Sequence, residues 1–300
     1  MTDVLVIVGA SMGFGKELLF AMLSNPALVS RHTACIIALI TRREEEAMTA
    51  WNETYKSVYG ISFAEDRLSL IKVSIVHMDL SSVNVSAGFT RMQESISCKL
   101  HSKIRRFYLF MNSGSVTPVG HLIPSPESVL LTSITANDLA VFDAQLLEHC
   151  VLNFTSFVSL LRALILFGLS KRCIQGRQII RVVNVSSLAA IRELNGLSIY
   201  GAIKAARESI LRSLSLELNA NYPDVDSKFL NYAPGPMQTE LVRRDLLGVD
   251  SPDNAVKSGA MRFVEPRQSA MKCIDLLINA APANSWENGA HVDYFDIALD

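Results

Sequence analysis

Val4-Leu5-Val6-Ile7-Val8-Gly9-Ala10-Ser11-Met12-Gly13-Phe14-Gly15 is the stretch on which the reading of this chain turns. An unbroken apolar, β-branched run predicts a strand buried on both faces. Glycines at GxxxGxG spacing then lead into a helical pattern over 14–24. Glycine lets a backbone turn sharply and come close to a phosphate, and the following helix offers its free N–H groups there. At a first strand–helix junction this predicts a dinucleotide site. The alternative is that the glycines serve only the turn.

Outward from that junction the pattern repeats. Apolar runs at 4–9, 35–41, 70–80, 105–114, 178–187, 228–235 and 290–295 alternate with helix-length segments at 14–24, 43–58, 83–101, 138–169, 198–220 and 266–280. Such alternation predicts right-handed βαβ crossovers and an α/β, Rossmann-type, doubly wound parallel sheet of about seven strands, with helices on both faces. No repeat or linker breaks the 300 residues, so a single domain over 1–300 is expected. The segments 115–136 and 236–262 interrupt the rhythm after strand ends and are expected to be substrate-pocket loops.

Composition narrows the class. Lys and Arg number 28 against 29 Asp and Glu, a net charge of −1 that argues against a broad nucleic-acid surface. Cys35, Cys98, Cys150, Cys173 and Cys273 are scattered and form no CxxC pair, as expected of thiols in a reducing, cytoplasmic setting. Asn153, Ser156, Ser159 and Arg162 interrupt the long apolar stretch at 151–169, so a buried helix is expected rather than a membrane span. Histidines and carboxylates are dispersed, and no metal is expected.

The second predicted strand ends in Thr41-Arg42-Arg43, with no carboxylate before Glu44. A carboxylate there would bind a ribose 2′-hydroxyl, whereas guanidinium groups match a 2′-phosphate, so NADP(H) is expected over NAD. The alternative is an exposed arginine pair serving Glu44, Glu45 and Glu46. Met78-Asp79-Leu80 and Asn112-Ser113-Gly114 end the third and fourth strands, where a short polar residue can meet the adenine edge and small residues admit the ribose.

Tyr200 and Lys204 stand four apart, on one face of a helix. A free phenol has a pKa of about 10, and a fixed cation nearby brings it down toward neutrality. The fifth strand ends Asn184-Val185-Ser186-Ser187, placing a hydroxyl where it can hydrogen-bond a substrate carbonyl.

The order GxxxGxG, strand-end Asp79, Asn112-Ser113-Gly114, Ser187, Tyr200-Gly-Ala-Ile-Lys204 and Pro234-Gly235-Pro-Met-Gln-Thr239 resembles the short-chain dehydrogenase/reductase family over nearly the whole chain. The resemblance implies Tyr200 as proton donor, Ser187 as the group that orients the carbonyl, and Lys204 as pKa tuner and ribose ligand. Asn153 would support a water link to the lysine and Thr239 would hold the nicotinamide carboxamide. It extends the cofactor set to Gly9, Ala10, Ser11, Met12, Gly13, Phe14, Gly15, Leu80, Gly114, Met237 and Gln238. It also implies a homodimer paired through the 138–169 and YxxxK helices. GASMGFG, VVNVSSLAA, YGAIKAARE, NYAPGPMQTE and GAHVDYFD are similar to members that reduce the side-chain ketones of pterins. That similarity implies a pterin substrate gripped by Asp293, with Leu188 and Gly235 lining the pocket. Four positions depart from the pattern: Met12 in place of Arg, Met111 in place of the first Asn of NNAG, a longer 115–136 segment, and Leu197 in place of Trp. The departures leave open a reductase of other dicarbonyls or aromatic ketones. A non-catalytic NADP-binding sensor is the remaining alternative, and an intact Ser187–Tyr200–Lys204 set argues against it.

Overall fold

A computed structural model describes residues 1–82, 85–116, 122, 135–172, 177–237, 263–278 and 286–296. Most of the expected pocket loops, together with Gln238 and Thr239, lies outside the described residues. The strands are β1 (Thr2–Val8), β2 (Cys35–Thr41), β3 (Ile71–His77), β4 (Ile104–Met111), β5 (Ile179–Val185), β6 (Asp226–Ala233) and β7 (His291–Asp293). They form one parallel sheet in the order β3-β2-β1-β4-β5-β6-β7. The order reverses between β1 and β4, and the crevice beyond their carboxyl ends is where open α/β sheets take ligands.

The apolar strand sequences follow from this burial. Leu5 and Ile7 of β1 face one core, with Leu18 and Met22 of α1 (Gly13–Ser24), Trp51 and Tyr55 of α2 (Glu44–Tyr59) and Ile274 of the last helix. Val4, Val6 and Val8 face the other. There they meet Met92 and Ile96 of α3 (Ser86–Ser97), Leu160 and Leu164 of α5 (Ser156–Ser170), and Leu211 and Leu218 of α6 (Ser198–Asn221). Each fully buried leucine contributes about 2 kcal/mol of transfer free energy. The last helix, α7 (Pro266–Ile278), lies beside α1.

The helix expected over 138–169 is two helices joined by a π turn. α4 (Ala136–Cys150) begins in a capping box, in which the Thr135 hydroxyl accepts from the Asp138 amide and the Asp138 carboxylate accepts from the Thr135 amide. Val151–Thr155 form the π turn, and α5 follows directly. Ser156 Oγ lies 2.5 Å from the Leu80 carbonyl and 2.8 Å from that of Val151, to which the hydroxyl donates. Burial is expected over 151–169, and the π turn's Val151 and Asn153 and most of α5 are sunk in the domain, whereas α4 before them is largely exposed. Leu139, Val141 and Leu147 on α4 are exposed. By length and composition the run Ala136–Ser170 passes for a membrane span, yet half of its most apolar window is buried in the domain.

Candidate active site

The phosphate turn has the close packing its glycines predict. Gly9 and Gly13 take positive φ values of 84° and 54°, which side chains disfavour. A Cβ on Gly15 would strike the Gly9 carbonyl and the Asn112 amide. Asn112 Nδ2 donates to that same carbonyl at 2.8 Å, tying the β4 end to the turn. Met12 caps α1 without a side-chain bond, and no carboxylate occupies the first turn. The first N–H groups of α1 are thus left to an anion, so these residues fit a dinucleotide pyrophosphate.

At the end of β2, Thr41 Oγ1 donates to Ser11 Oγ (3.2 Å) and accepts from the Arg43 amide (3.0 Å). The Arg43 guanidinium rests 3.5 Å from Met12 Sδ, while Arg42 faces Asp79 across 3.7 Å. Neither arginine pairs with Glu44, Glu45 or Glu46, all of them described residues. Both arginines are exposed at the end of β2, Arg43 against Met12 and Arg42 against Asp79. Asp79 accepts from the Ser81 hydroxyl (2.7 Å) and amide (3.0 Å), and these bonds hold its carboxyl below the usual range.

The β5 end and α6 build the reacting end. Ser187 Oγ accepts from the Ala189 amide at 3.2 Å, in a short 3₁₀ turn over Leu188–Ala190. Gly201 lets α6 lie against that turn, since a Cβ there would come 2.6 Å from the Ala189 carbonyl. The Ser187 side chain lies near enough to the Tyr200 phenol to act on it. Burial pushes the Tyr200 phenol up, against the Ser187 side chain and the Arg207 charge, which draw it down. Lys204 Nζ donates to the Val185 carbonyl at 2.7 Å and stands 5.5 Å from the centre of the Tyr200 ring. Burial, then Arg207, holds its ammonium well below the ordinary lysine range.

Asn153 sits inside the π turn, which aims it inward. Its Oδ1 accepts from the Ser115 amide at 2.8 Å, and its Nδ2 donates to the His149 carbonyl at 3.2 Å and lies 3.0 Å from His149 Nδ1. Arg207, from α6, spreads its fork onto the Ser113 and Met111 carbonyls, both at 3.2 Å. The turn at 111–114 is therefore pinned from two sides, by Asn112 and by Arg207.

Pairing of Ala233 with Asp293 sets Asp293 at the carboxyl edge of the sheet, next to Pro234 and Gly235. It is buried, and its Oδ1 accepts from the Phe295 amide at 2.9 Å. Leu188, Leu197 and Gly235 are half-buried and Met237 is buried. Sequence reading did not single out Glu208, which joins the two ends of this edge. One of its oxygens accepts from Ser186 Oγ (2.5 Å) and from His291 Nδ1 (2.7 Å), and the other faces Arg212 at 3.5 Å. Arg207 and Glu208 close the YGAIKAARE stretch quoted for the resemblance, and that stretch and their spacing from Tyr200 and Lys204 on one helix face were the signals for them.

A parallel sheet with this switch point, a glycine turn fit for a pyrophosphate, and a serine, a tyrosine and a buried lysine gathered where the β5 end meets α6 support an oxidoreductase with a nicotinamide cofactor. The sequence model for short chain dehydrogenase matches residues 133–247, across α4–α6 and β5–β6. Motif order and fold agree with that match, and the chain resembles the short-chain dehydrogenase/reductase family. It is 28% identical to the sepiapterin reductase of Rattus norvegicus over 98% of this chain and 97% of that protein. With the sepiapterin reductase of Xenopus tropicalis the identity is 24% over 97% of this chain and 95% of the relative. Among solved structures, the Pseudomonas aeruginosa RhlG/NADP active-site complex superposes with a TM-score of 0.65 at 18% identity, covering 97% of this chain and 94% of that one.

Proposed function

We propose that this chain is an NADPH-dependent carbonyl reductase acting on the side-chain keto groups of a pterin, as sepiapterin reductase does in tetrahydrobiopterin synthesis. The observation that carries the reading is the placement of Asp293 on the same sheet edge as Ser187 and Tyr200, in a chain similar over its length to sepiapterin reductases. A carboxylate there can accept parallel hydrogen bonds from the amino-pyrimidine edge of a pterin. The exposed Arg42 and Arg43 at the end of β2, with Arg43 against Met12 of the glycine turn, support NADPH over NADH.

In this reading Ser187 fixes the substrate carbonyl and Tyr200 donates the proton to its oxygen. Lys204 orders the cofactor ribose from its anchor on the Val185 carbonyl, and Asn153 holds the Ser115 main chain beside it. A bound reduced nicotinamide supplies the hydride. The chain works as a cytoplasmic homodimer. Support comes from the free thiols of Cys35, Cys98, Cys150 and Cys273 and from the apolar residues α4 leaves exposed.

One observation favours a second reading, in which other dicarbonyls are the substrate. Asp293 already spends Oδ1 on the Phe295 amide, and Leu197 stands where pterin-reducing relatives are expected to carry Trp. NADPH oxidation with sepiapterin beside a simple diketone separates the two, using Asp293→Asn. The amide keeps a carbonyl for Phe295 but loses the charge. Leaving a buried polar group without its partner costs about 1–3 kcal/mol, or roughly five- to 150-fold in kcat/KM for sepiapterin. The diketone should be reduced nearly as before. Equal losses on both substrates, or none on either, would remove the pterin reading.

A further inference from the structure

Glu208 is 1% exposed and takes no part in the chemistry of Ser187, Tyr200 and Lys204. A buried carboxylate is costly unless donors replace the water it gives up. Two of its donors come from different strands. One oxygen accepts from Ser186 Oγ at 2.5 Å and from His291 Nδ1 at 2.7 Å, and the other faces Arg212, a turn further along α6, at 3.5 Å. Ser186 directly follows β5 and His291 opens β7, with β6 running between them. A single side chain of α6 therefore clamps the two strands that flank β6.

The register shows what that clamp fixes. His291 lies opposite Asn231, and Asp293 lies opposite Ala233 at the carboxyl edge. Residues two apart in a strand share a face, so Asp293 stands on the α6 face roughly 6.6 Å beyond His291. Behind them, Asn184 Nδ2 donates to Asn231 Oδ1 and Asn231 Nδ2 to the Gly289 carbonyl, both at 2.9 Å. Gly289, at a φ of 87°, lets the chain enter β7 against α6, since a Cβ there would come 2.9 Å from Arg212 Cγ. Ahead of them the hold is looser. Among the described residues the Asp293 side chain bonds only the Phe295 amide, and Lys272 reaches the Tyr294 carbonyl at 3.4 Å. His291 is thus the last side chain of β7 that the helix layer holds before Asp293.

We propose that Glu208 and His291 are a positioning pair that sets the separation between the Ser187 end and the Asp293 end of the substrate site, and so selects substrates by their reach. This rests on the pterin reading, in which Asp293 is the far anchor. Neither residue touches the reacting atoms. A substrate gripped at both ends needs that separation held, because binding energy from its remote end is realised only in one geometry. A small diketone held at Ser187 and Tyr200 alone is indifferent to it.

The experiment removes the donor and then returns it. His291→Leu leaves a side chain with no hydrogen-bonding group, while His291→Asn offers an N–H in place of Nδ1. NADPH oxidation is measured with sepiapterin and with a simple diketone, and amide hydrogen exchange is followed over 289–296 and over α6. His291→Leu should raise the sepiapterin KM roughly tenfold with kcat within about twofold, and leave both constants for the diketone within about twofold. Exchange over 289–296 should quicken roughly tenfold while α6 keeps its protection, and His291→Asn should recover most of both losses. A merely structural prop would lower both substrates together.

A wild-type value in either the sepiapterin KM or the tail exchange of His291→Leu overturns the proposal. So do equal losses on both substrates, or an asparagine variant no better than the leucine one. Should His291→Leu not fold, Glu208→Gln decides, because neutral hydrogen bonds are about half as strong as charged ones. A smaller rise in both readouts then supports the pair, and wild-type values refute it. A wild-type enzyme that leaves sepiapterin unreduced would remove the pterin reading by itself. The exchange comparison would then decide the pair alone, quickened exchange confined to 289–296 supporting it and unchanged exchange refuting it.

Discussion

Truncating Glu208 to alanine tests the bracket between β5 and β7 most directly. One carboxylate oxygen holds both Ser186 Oγ (2.5 Å) and His291 Nδ1 (2.7 Å), and Glu208 is 1% exposed. Alanine leaves two buried polar groups without their partner, and His291 already has a buried Nε2 with none. Each such group costs about 1–3 kcal/mol, and breaking a buried charged contact as a whole typically costs about 3–5 kcal/mol. At about 2–4 °C per kcal/mol for domains somewhat smaller than this one, the melting temperature should fall by roughly 6–15 °C. Glu208→Gln keeps an acceptor oxygen and should lose less than half as much. Circular dichroism melts of the three proteins at fixed concentration, each checked for refolding, provide the assay. A Glu208→Ala melt within about 2 °C of wild type would refute the reasoning, since only an exposed or idle carboxylate could be removed at that cost.

Replacing Arg42 and Arg43 together by alanine should erase the preference for NADPH over NADH. That preference is expected at roughly ten- to a hundredfold in wild type, from about 1.5–3 kcal/mol for a charge-assisted bond. Titration calorimetry reads both affinities, and equal values in the wild-type protein would contradict the assignment. Leu147→Asp places a charge on the exposed apolar residues of α4 and should convert a dimer to single chains in sedimentation velocity. A wild-type protein already sedimenting as one chain at micromolar concentration would dispose of the dimer.

Element positions were legible because strand burial and helix periodicity act locally. The strand expected over 35–41 is Cys35–Thr41, and the helix expected over 198–220 is Ser198–Asn221. The run at 290–295 is shorter as a strand, because Asp293 accepts the Phe295 amide and turns the chain into a 3₁₀ helix. The π turn at Val151–Thr155 was hidden, since the stretch around it is apolar on most sides and carries no sharp polar face whose shift would betray an extra residue. In the site, Tyr200, Lys204 and Ser187 could be read because their chemistry depends on helix spacing and strand ends. Arg207 looked like any basic residue on an amphipathic helix. Its burial follows from the carbonyls of the 111–114 turn, which come from a distant part of the sequence. The contact between Glu208 and His291 spans 83 positions, and although each lies in a stretch quoted for the resemblance, nothing in either stretch says that they pair.

β7 is three residues long and, among the described residues, pairs in the sheet with β6 alone. A strand so short at a sheet edge invites exchange, since grafting a different tail from a relative would look like the simplest way to change what the enzyme accepts. The shared Glu208 oxygen makes that graft a linked substitution. An incoming tail without a donor at position 291 would strand a carboxylate beside Ser186 and Ser187, and a new residue at 208 would loosen the tail already present. Tail and helix therefore form one unit of inheritance, and a library that shuffles them independently would consist largely of misassembled sites.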